Sequence, residues 1–204
     1  MLECVTFTPE LQFGSNCYVL KSNDEYCIID PSVPYEAVRE RLGDISERVK
    51  YIILTHCHFD HILELGDWLD ATHRRPSMSK DASLNIKDSK VNCYRLFFRI
   101  EKAYLGECNI LSEGDRLTLG DDILHITKTP GHTSGSISII TNDFMFVGDT
   151  LFSGGSYGRY DLPSGNRAAL LESIDKILSY DDKIIYCGHG EITTTAEARK
   201  YRYL

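Results

Sequence analysis

Four side chains able to hold a metal ion, His56, His58, Asp60 and His61, fall within six consecutive positions of the segment Thr55-His56-Cys57-His58-Phe59-Asp60-His61. The whole chain has seven histidines, so three of them gathered around one aspartate are not an accident of composition. Imidazole and carboxylate donors together suit zinc, iron or manganese. A catalytic site of this kind needs about three protein ligands and an open position, and two ions held ~3.5–4 Å apart need a bridging group. The segment cannot supply all of that alone. Three further stretches each put a metal-capable side chain beside a glycine turn: Thr129-Pro130-Gly131-His132-Thr133, Phe146-Val147-Gly148-Asp149-Thr150 and Tyr186-Cys187-Gly188-His189-Gly190. One such turn is more often ordinary structure; the combination is what points to a site.

The donors divide between two ions. His56 and His58, at i and i+2, point to the same side of an extended segment and can share one ion with His132. Asp60 and His61 can take a second with His189, leaving Asp149 to bridge. The expected cofactors are therefore two divalent metal ions, with zinc first and iron or manganese compatible with the same donors. Asp60 is the expected catalytic residue as well as a ligand, because it would orient a water between the ions. His73 and His125 lack a comparable setting and are expected to be surface or core residues. Cys57 and Cys187 flank ligands but are expected to pack rather than ligate. Asp30, just beyond an apolar run, either supports a ligand or only closes a turn.

The elements that must position these residues follow from periodicity. Cys4–Phe7, Asn16–Leu20 and Tyr26–Ile29 are β-favouring runs separated by turn formers, an antiparallel start. Residues 34 to 42 carry the proline start and glycine stop of a short helix. Tyr51–Leu54 is apolar throughout, as in a strand buried on both faces. Behind the histidine segment, Ile62, Leu65, Trp68 and Leu69 recur at helical spacing, which puts Asp60 and His61 at a helix start. Residues 72 to 110 show no clear period, and the aromatic residues Tyr94, Phe97, Phe98 and Tyr104 there are expected to be packing. Strands are expected at Arg116–Leu119, Asp122–Thr127, Ser136–Thr141 and Asp143–Val147. An amphipathic helix over 166–180, a strand Lys183–Cys187 and a short helix after Thr193 close the chain. Strands, helices around a buried strand, more strands and further helices imply two facing sheets with helices outside, in one domain spanning 1–204.

The composition narrows the function. With 42% hydrophobic and 25% charged residues the chain is of ordinary globular type, and no apolar run approaches the ~20 residues that cross a bilayer. Seven cysteines, with no Cys-x-x-Cys pair, fit neither a disulfide framework nor a thiolate zinc finger. The start of the sequence lacks a basic and apolar leader, so a cytoplasmic location is expected. A net charge of −8, with only short basic stretches at 73–75 and 199–202, argues against nucleic acid as partner. A small-molecule substrate is the expected partner, with neither nucleic acid nor membrane.

On these residues the chain resembles the metallo-β-lactamase-fold superfamily, whose His-x-His-x-Asp-His signature stands at His56, His58, Asp60 and His61 and whose later motifs match in order at His132, Asp149 and His189. The resemblance spans essentially the whole chain and implies an α/β fold, a four-layer αββα sandwich with a dimetal site at one edge. Gly148-Asp149-Thr150-Leu151-Phe152, Gly158-Arg159-Tyr160-Asp161 and Gly188-His189-Gly190-Glu191-Ile192-Thr193-Thr194 are similar to the glyoxalase II branch, which implies hydrolysis of acylglutathione thioesters. β-Lactamases of the superfamily usually lack a histidine at the position of His61, which weighs against antibiotic hydrolysis. Two departures stand out. The chain stops soon after the His189 motif, where glyoxalase II continues into a glutathione-gripping helical domain, and Leu63-Glu64 replace a frequent Gly-Gly. The segment is also similar to that of persulfide dioxygenases, which carry Thr-His-Cys-His-x-Asp-His; that alternative implies one iron on His56, His132 and Asp149.

Overall fold

The protein, seen here in a computed structural model, is described over residues 1–10 and 13–201; Arg202, at the end of the second basic stretch, lies outside them. Its first half runs β1 (Glu3–Phe7), β2 (Cys17–Ser22), β3 (Glu25–Ile29), α1 (Tyr35–Leu42), β4 (Val49–Ile53), α2 (Leu65–Thr72), β5 (Pro76–Ser79), α3 (Lys80–Asn85), α4 (Tyr94–Phe98) and β6 (Asn109–Leu111). The second half runs β7 (Arg116–Leu119), β8 (Asp122–Lys128), β9 (Ile137–Ile140), β10 (Phe144–Gly148), α5 (Arg167–Leu178), β11 (Ile184–Cys187), β12 (Thr193–Thr194) and α6 (Thr195–Tyr201). Each half makes one six-stranded sheet. The first is ordered β1 through β6, in chain order, and the second is ordered β12-β11-β10-β9-β8-β7.

Local chemistry accounts for the borders. Asn23, at φ 52, turns the β2–β3 hairpin in the left-handed conformation that asparagine tolerates. Asn166 caps α5, its side chain accepting from the Ala169 backbone N–H at 3.1 Å. In β3 four of five residues are buried and in β4 three of five, the others half-buried, because each sheet is covered on both faces.

Three apolar layers hold the four structural layers together. Val19, Ile28 and Ile52 face Val38 of α1 and Trp68 of α2 on the outside of the first sheet. Leu20, Cys27, Ile29 and Ile53 face Leu124, Ile126, Ile139 and Phe146 between the sheets. Met145, Val147 and Ile185 face Leu170, Ile174 and Ile177 of α5 outside the second sheet. The alternation of partners along β3 and β10 is the two-residue period of a strand, and the result is the expected αββα sandwich. Among the described residues, no helix is long and apolar enough to cross a membrane.

Two local expectations need correction. Asp60 and His61 do not begin a helix. They lie on a 3-10 turn, Phe59–His61, because Glu64 N–H is spent on Pro31 O at 3.0 Å and the α-helical ladder starts only at Leu65. Glu64 has φ −109 there, so the frequent glycine is not required by backbone conformation. The poorly periodic stretch also holds more structure than its pattern suggests: β5 and β6 add parallel strands to the first sheet, and α4 projects over the site.

Candidate metal centre

The ends of the strands bring all seven expected ligands together. Nitrogen atoms of His56, His58 and His132 form one cluster, and donor atoms of Asp60, His61, Asp149 and His189 form a second, each with its atoms within 4.8 Å of one another. His58 Nδ1 is 2.8 Å from His132 Nε2. Asp149 lies between the clusters, with Oδ2 3.6 Å from His132 Nε2 and 3.5 Å from His189 Nε2, and Oδ1 3.2 Å from His61 Nε2. Asp60 Oδ2 is 2.9 Å from His189 Nε2. His73 and His125 sit apart from both clusters, as expected. Cys57 and Cys187 are buried in the outer apolar layers, and burial pushes each thiol up to about 12.

Neighbouring groups set which ring nitrogen faces inward. His61 Nδ1 is 2.7 Å from Asp30 Oδ2, His132 Nδ1 is 2.6 Å from the carbonyl of Arg159, and His56 Nδ1 is 3.2 Å from Thr55 Oγ1. Each contact takes the Nδ1 proton and turns the Nε2 lone pair toward the cluster. Thr55 in turn donates its backbone N–H to Asp30 Oδ1 at 2.7 Å and its hydroxyl to Asp30 Oδ2 at 2.6 Å. Asp30, which the sequence leaves between two roles, therefore supports His61 directly and His56 through Thr55. Thr55 and the Arg159 carbonyl were not singled out beforehand. Thr55 carries the signal of a hydroxyl beside a ligand, whereas a backbone carbonyl leaves no trace in residue type.

Close backbone approach seats the bridging carboxylate. An extra residue in β10, where Phe146 pairs with Tyr186 but Gly148 pairs with Cys187, is a bulge that re-aims the chain before Asp149. Gly148 takes φ +51, and a Cβ there would stand 2.6 Å from Thr55 Oγ1; a Cβ on Gly188 would stand 2.0 Å from Asp149 Oδ1. The first half also grips the loop carrying His189: Asn16 N–H donates to Gly188 O at 2.7 Å, and its side-chain amide donates to Cys187 O and Gly190 O.

The electrostatics are those of a place built for cations. Asp30, Asp60 and Asp149 are buried and, among the described residues, have no lysine or arginine paired to them, an arrangement that costs heavily unless a positive charge compensates. Among the described residues, Nε2 of His56, His58 and His61 and Oδ1 of Asp149 are buried without a hydrogen-bond partner. Burial and the charges of His61, His132 and His58 push His56 well below the ordinary imidazole range. Burial and His132 bring His58 down to about 3. His61 moves well above that range: burial opposes its charge, but the carboxylates of Asp30, Asp149 and Asp60 outweigh burial. Unpartnered lone pairs facing buried carboxylates fit a dinuclear metal site, and the donor set is imidazole and carboxylate throughout.

A cleft of about 320 Å³ opens onto both clusters and is walled by Phe59, Phe97, Phe152, Tyr157 and Leu162. Phe97 was expected only to pack. Instead its ring lies 5.1 Å from that of Phe59 and forms part of the cleft, while Tyr94 is buried in the core as expected.

Known proteins agree with this geometry. The metallo-beta-lactamase superfamily profile matches residues 11–189. The chain is 31% identical to the hydroxyacylglutathione hydrolase GloC of Haemophilus influenzae over 96% of this chain and 95% of that one. It superposes on the B3 metallo-beta-lactamase BLEG-1 with a TM-score of 0.87 at 29% identity, covering 99% and 98% of the two chains. It superposes on TTHA1623 in a di-iron-bound form with a TM-score of 0.82 at 28% identity, covering 99% and 100%. By profile, sequence and architecture, this chain belongs to the metallo-beta-lactamase superfamily.

Proposed function

We propose that the protein is a metal-dependent hydrolase of small thioesters, acylglutathiones being the compounds suggested by the Haemophilus influenzae relative. The observation that carries this reading is the pair of donor clusters joined by Asp149, with unpartnered lone pairs on His56, His61 and Asp149. His56, His58 and His132 would hold one ion, Asp60, His61 and His189 the second, and Asp149 both. Divalent cations held there would supply Lewis acidity, bringing the pKa of a water toward about 7 and polarising a carbonyl. The chain's own residues do the rest. Asp30, Thr55 and the Arg159 carbonyl hold the imidazoles in the ligating tautomer, Asp60 accepts a hydrogen bond from a water beside it, and the aromatic walls exclude bulk solvent. In the net reaction the oxygen of water bonds to the acyl carbon and the C–S bond breaks with its electron pair on sulfur. Sulfur then takes a proton and leaves as thiol, a departure that needs little acid assistance.

The test is hydrolysis of S-D-lactoylglutathione and simple acyl thioesters by protein of known metal content, with a β-lactam included because of the likeness to BLEG-1. His58→Ala and Asp149→Ala should abolish turnover and lower bound metal. Full thioesterase activity in metal-stripped protein would end the proposal. The single-iron dioxygenase reading uses His56, His132 and Asp149 and leaves His58, Asp60, His61 and His189 without a role. Oxygen uptake with glutathione persulfide by iron-loaded protein would favour it instead.

A further inference from the structure

Beside the catalytic cleft lies a second groove, of about 410 Å³, lined by Lys90, Arg95, Leu96, Arg99 and Pro163. The two are lined by residues adjacent in the chain. Phe97 and Leu162 face the cleft, and their chain neighbours Leu96 and Pro163 face the groove, so a molecule reaching over this ridge touches both. From Lys87 to Lys102 the chain carries five cations (Lys87, Lys90, Arg95, Arg99, Lys102) against Asp88 and Glu101, a local excess of positive charge on a chain whose net charge is −8. Arg95 reaches Glu101 at 3.0 Å, and Asp88 Oδ1 is engaged by the Lys90 backbone N–H at 2.8 Å. Among the described residues, Lys90 and Arg99 have no carboxylate partner within ion-pair distance. Among the described residues that line the cleft, the one arginine or lysine is Arg159, whose guanidinium is tied to both oxygens of Asp161 at 2.9 and 2.8 Å. Beyond the metal ligands themselves, anionic charge on a substrate's thiol half would thus find cations free of ion pairs over the ridge.

Resting on the thioesterase reading above, we propose that the groove binds the phosphorylated end of the substrate's thiol half, so that acyl thioesters of coenzyme A are the substrate class. Lys90 and Arg99 meet the phosphates, and Arg95 joins them at the groove's edge. The pantetheine arm crosses the Leu96-Phe97 and Leu162-Pro163 ridge, and the thioester lies in the aromatic cleft. Phe98, 49% accessible and next in the chain to Arg99 of the groove, offers an exposed aromatic side chain for the adenine ring.

The experiment separates the groove from the chemistry. Calorimetric titration of the metal-loaded protein with coenzyme A, 3′-dephospho-coenzyme A and pantetheine measures binding without turnover. Its partner is the double variant Lys90→Gln/Arg99→Asn; asparagine is chosen because Arg99 sits at φ 58 and asparagine tolerates that conformation. Coenzyme A should bind tighter than pantetheine, weaken with added salt, and weaken about tenfold in the variant, as expected for two exposed charge contacts. The ratio of kcat/KM for acetyl-coenzyme A to that for S-acetylpantetheine should fall by a similar factor, through KM. Equal binding of coenzyme A and pantetheine, or no loss in the variant, overturns the proposal even if both thioesters are hydrolysed. Tight, variant-sensitive coenzyme A binding with no thioester hydrolysis leaves the groove standing and refutes the thioesterase reading.

Discussion

Replacing Asp30 by asparagine tests whether the groups behind the ligands matter as much as the ligands. Three donors converge on its two oxygens: Thr55 N–H at 2.7 Å on Oδ1, and Thr55 Oγ1 at 2.6 Å with His61 Nδ1 at 2.7 Å on Oδ2. An amide keeps one acceptor and puts an NH2 group where the other was, so whichever way it turns, a buried donor meets a donor. One unsatisfied buried N–H costs about 1–3 kcal/mol, and exchanging a charged acceptor for a neutral one costs about 1 kcal/mol more. A loss of roughly 2–4 kcal/mol is expected, a large share of the ~5–15 kcal/mol of a typical domain. Asp30 has φ 53, a conformation asparagine accepts, so Asp30→Asn reports on hydrogen bonding; Asp30→Ala should add about 1–2 kcal/mol of backbone strain. Loss of an imidazole's supporting carboxylate should weaken the ion at His61 by about 10- to 100-fold, with a smaller effect at His56, which feels Asp30 only through Thr55. Urea unfolding of metal-free protein gives the first quantity, and competition with a chromophoric chelator gives the second. An Asp30→Asn protein within about 0.5 kcal/mol of the parent and with both ions bound as tightly would refute the reasoning.

Gly188→Ala places a methyl group 2.0 Å from Asp149 Oδ1; displacement of the bridge should cost about 1–3 kcal/mol and lower bound metal below that of the parent, measured by elemental analysis after desalting. Metal at about one hundred times its dissociation constant should stabilise the fold by about 2.7 kcal/mol. For a chain of this length that raises Tm by roughly 5–10 °C, and a melting curve unmoved by chelator would contradict the site. Tyr35→Phe removes the 2.6 Å hydrogen bond that, with those from Ser46, holds the Asp44 carboxyl down at about 2. Because that pKa is depressed in the fold, its stabilisation is complete above the ordinary aspartate value of about 3.9 and is lost as pH falls toward 2. In the variant, carboxyl NMR should show Asp44 titrating closer to the ordinary value, and an unchanged titration would refute the assignment.

What could be read from the sequence was what residue type and period encode. Histidine at i and i+2 on an extended segment and glycine turns beside apolar strands marked five of the seven side chains that the fold gathers, Asp60 and His61 following from the same segment, and β3, β4, β8 and α5 announced themselves by their hydrophobic pattern. What could not be read depends on partners distant in sequence. The α2 start was misplaced because Pro31 O takes the Glu64 N–H, a bond no local pattern shows. β5 and β6 are short strands of four and three residues, too brief to display a period and defined by pairing with β4 and with each other. Phe97 looks like any packing aromatic until α4 is placed against Phe59. The Arg159 carbonyl acts through backbone, to which residue identity is blind.

The division of the chain into two single-sheet halves gives the metal centre a mechanical meaning. Four donors and Asp30 come from residues 30–61, and three donors come from 132, 149 and 189; the halves are joined by the short connection Ser112-Glu113-Gly114-Asp115. Asp149 reaches across, so a bound cation is a rivet through the seam, adding its coordination energy to the apolar burial between the sheets. Severed at that connection, the two fragments would recognise each other through the buried seam and be locked by the ion, which turns a hydrolytic centre into a chelator-sensitive fastener between two pieces of chain.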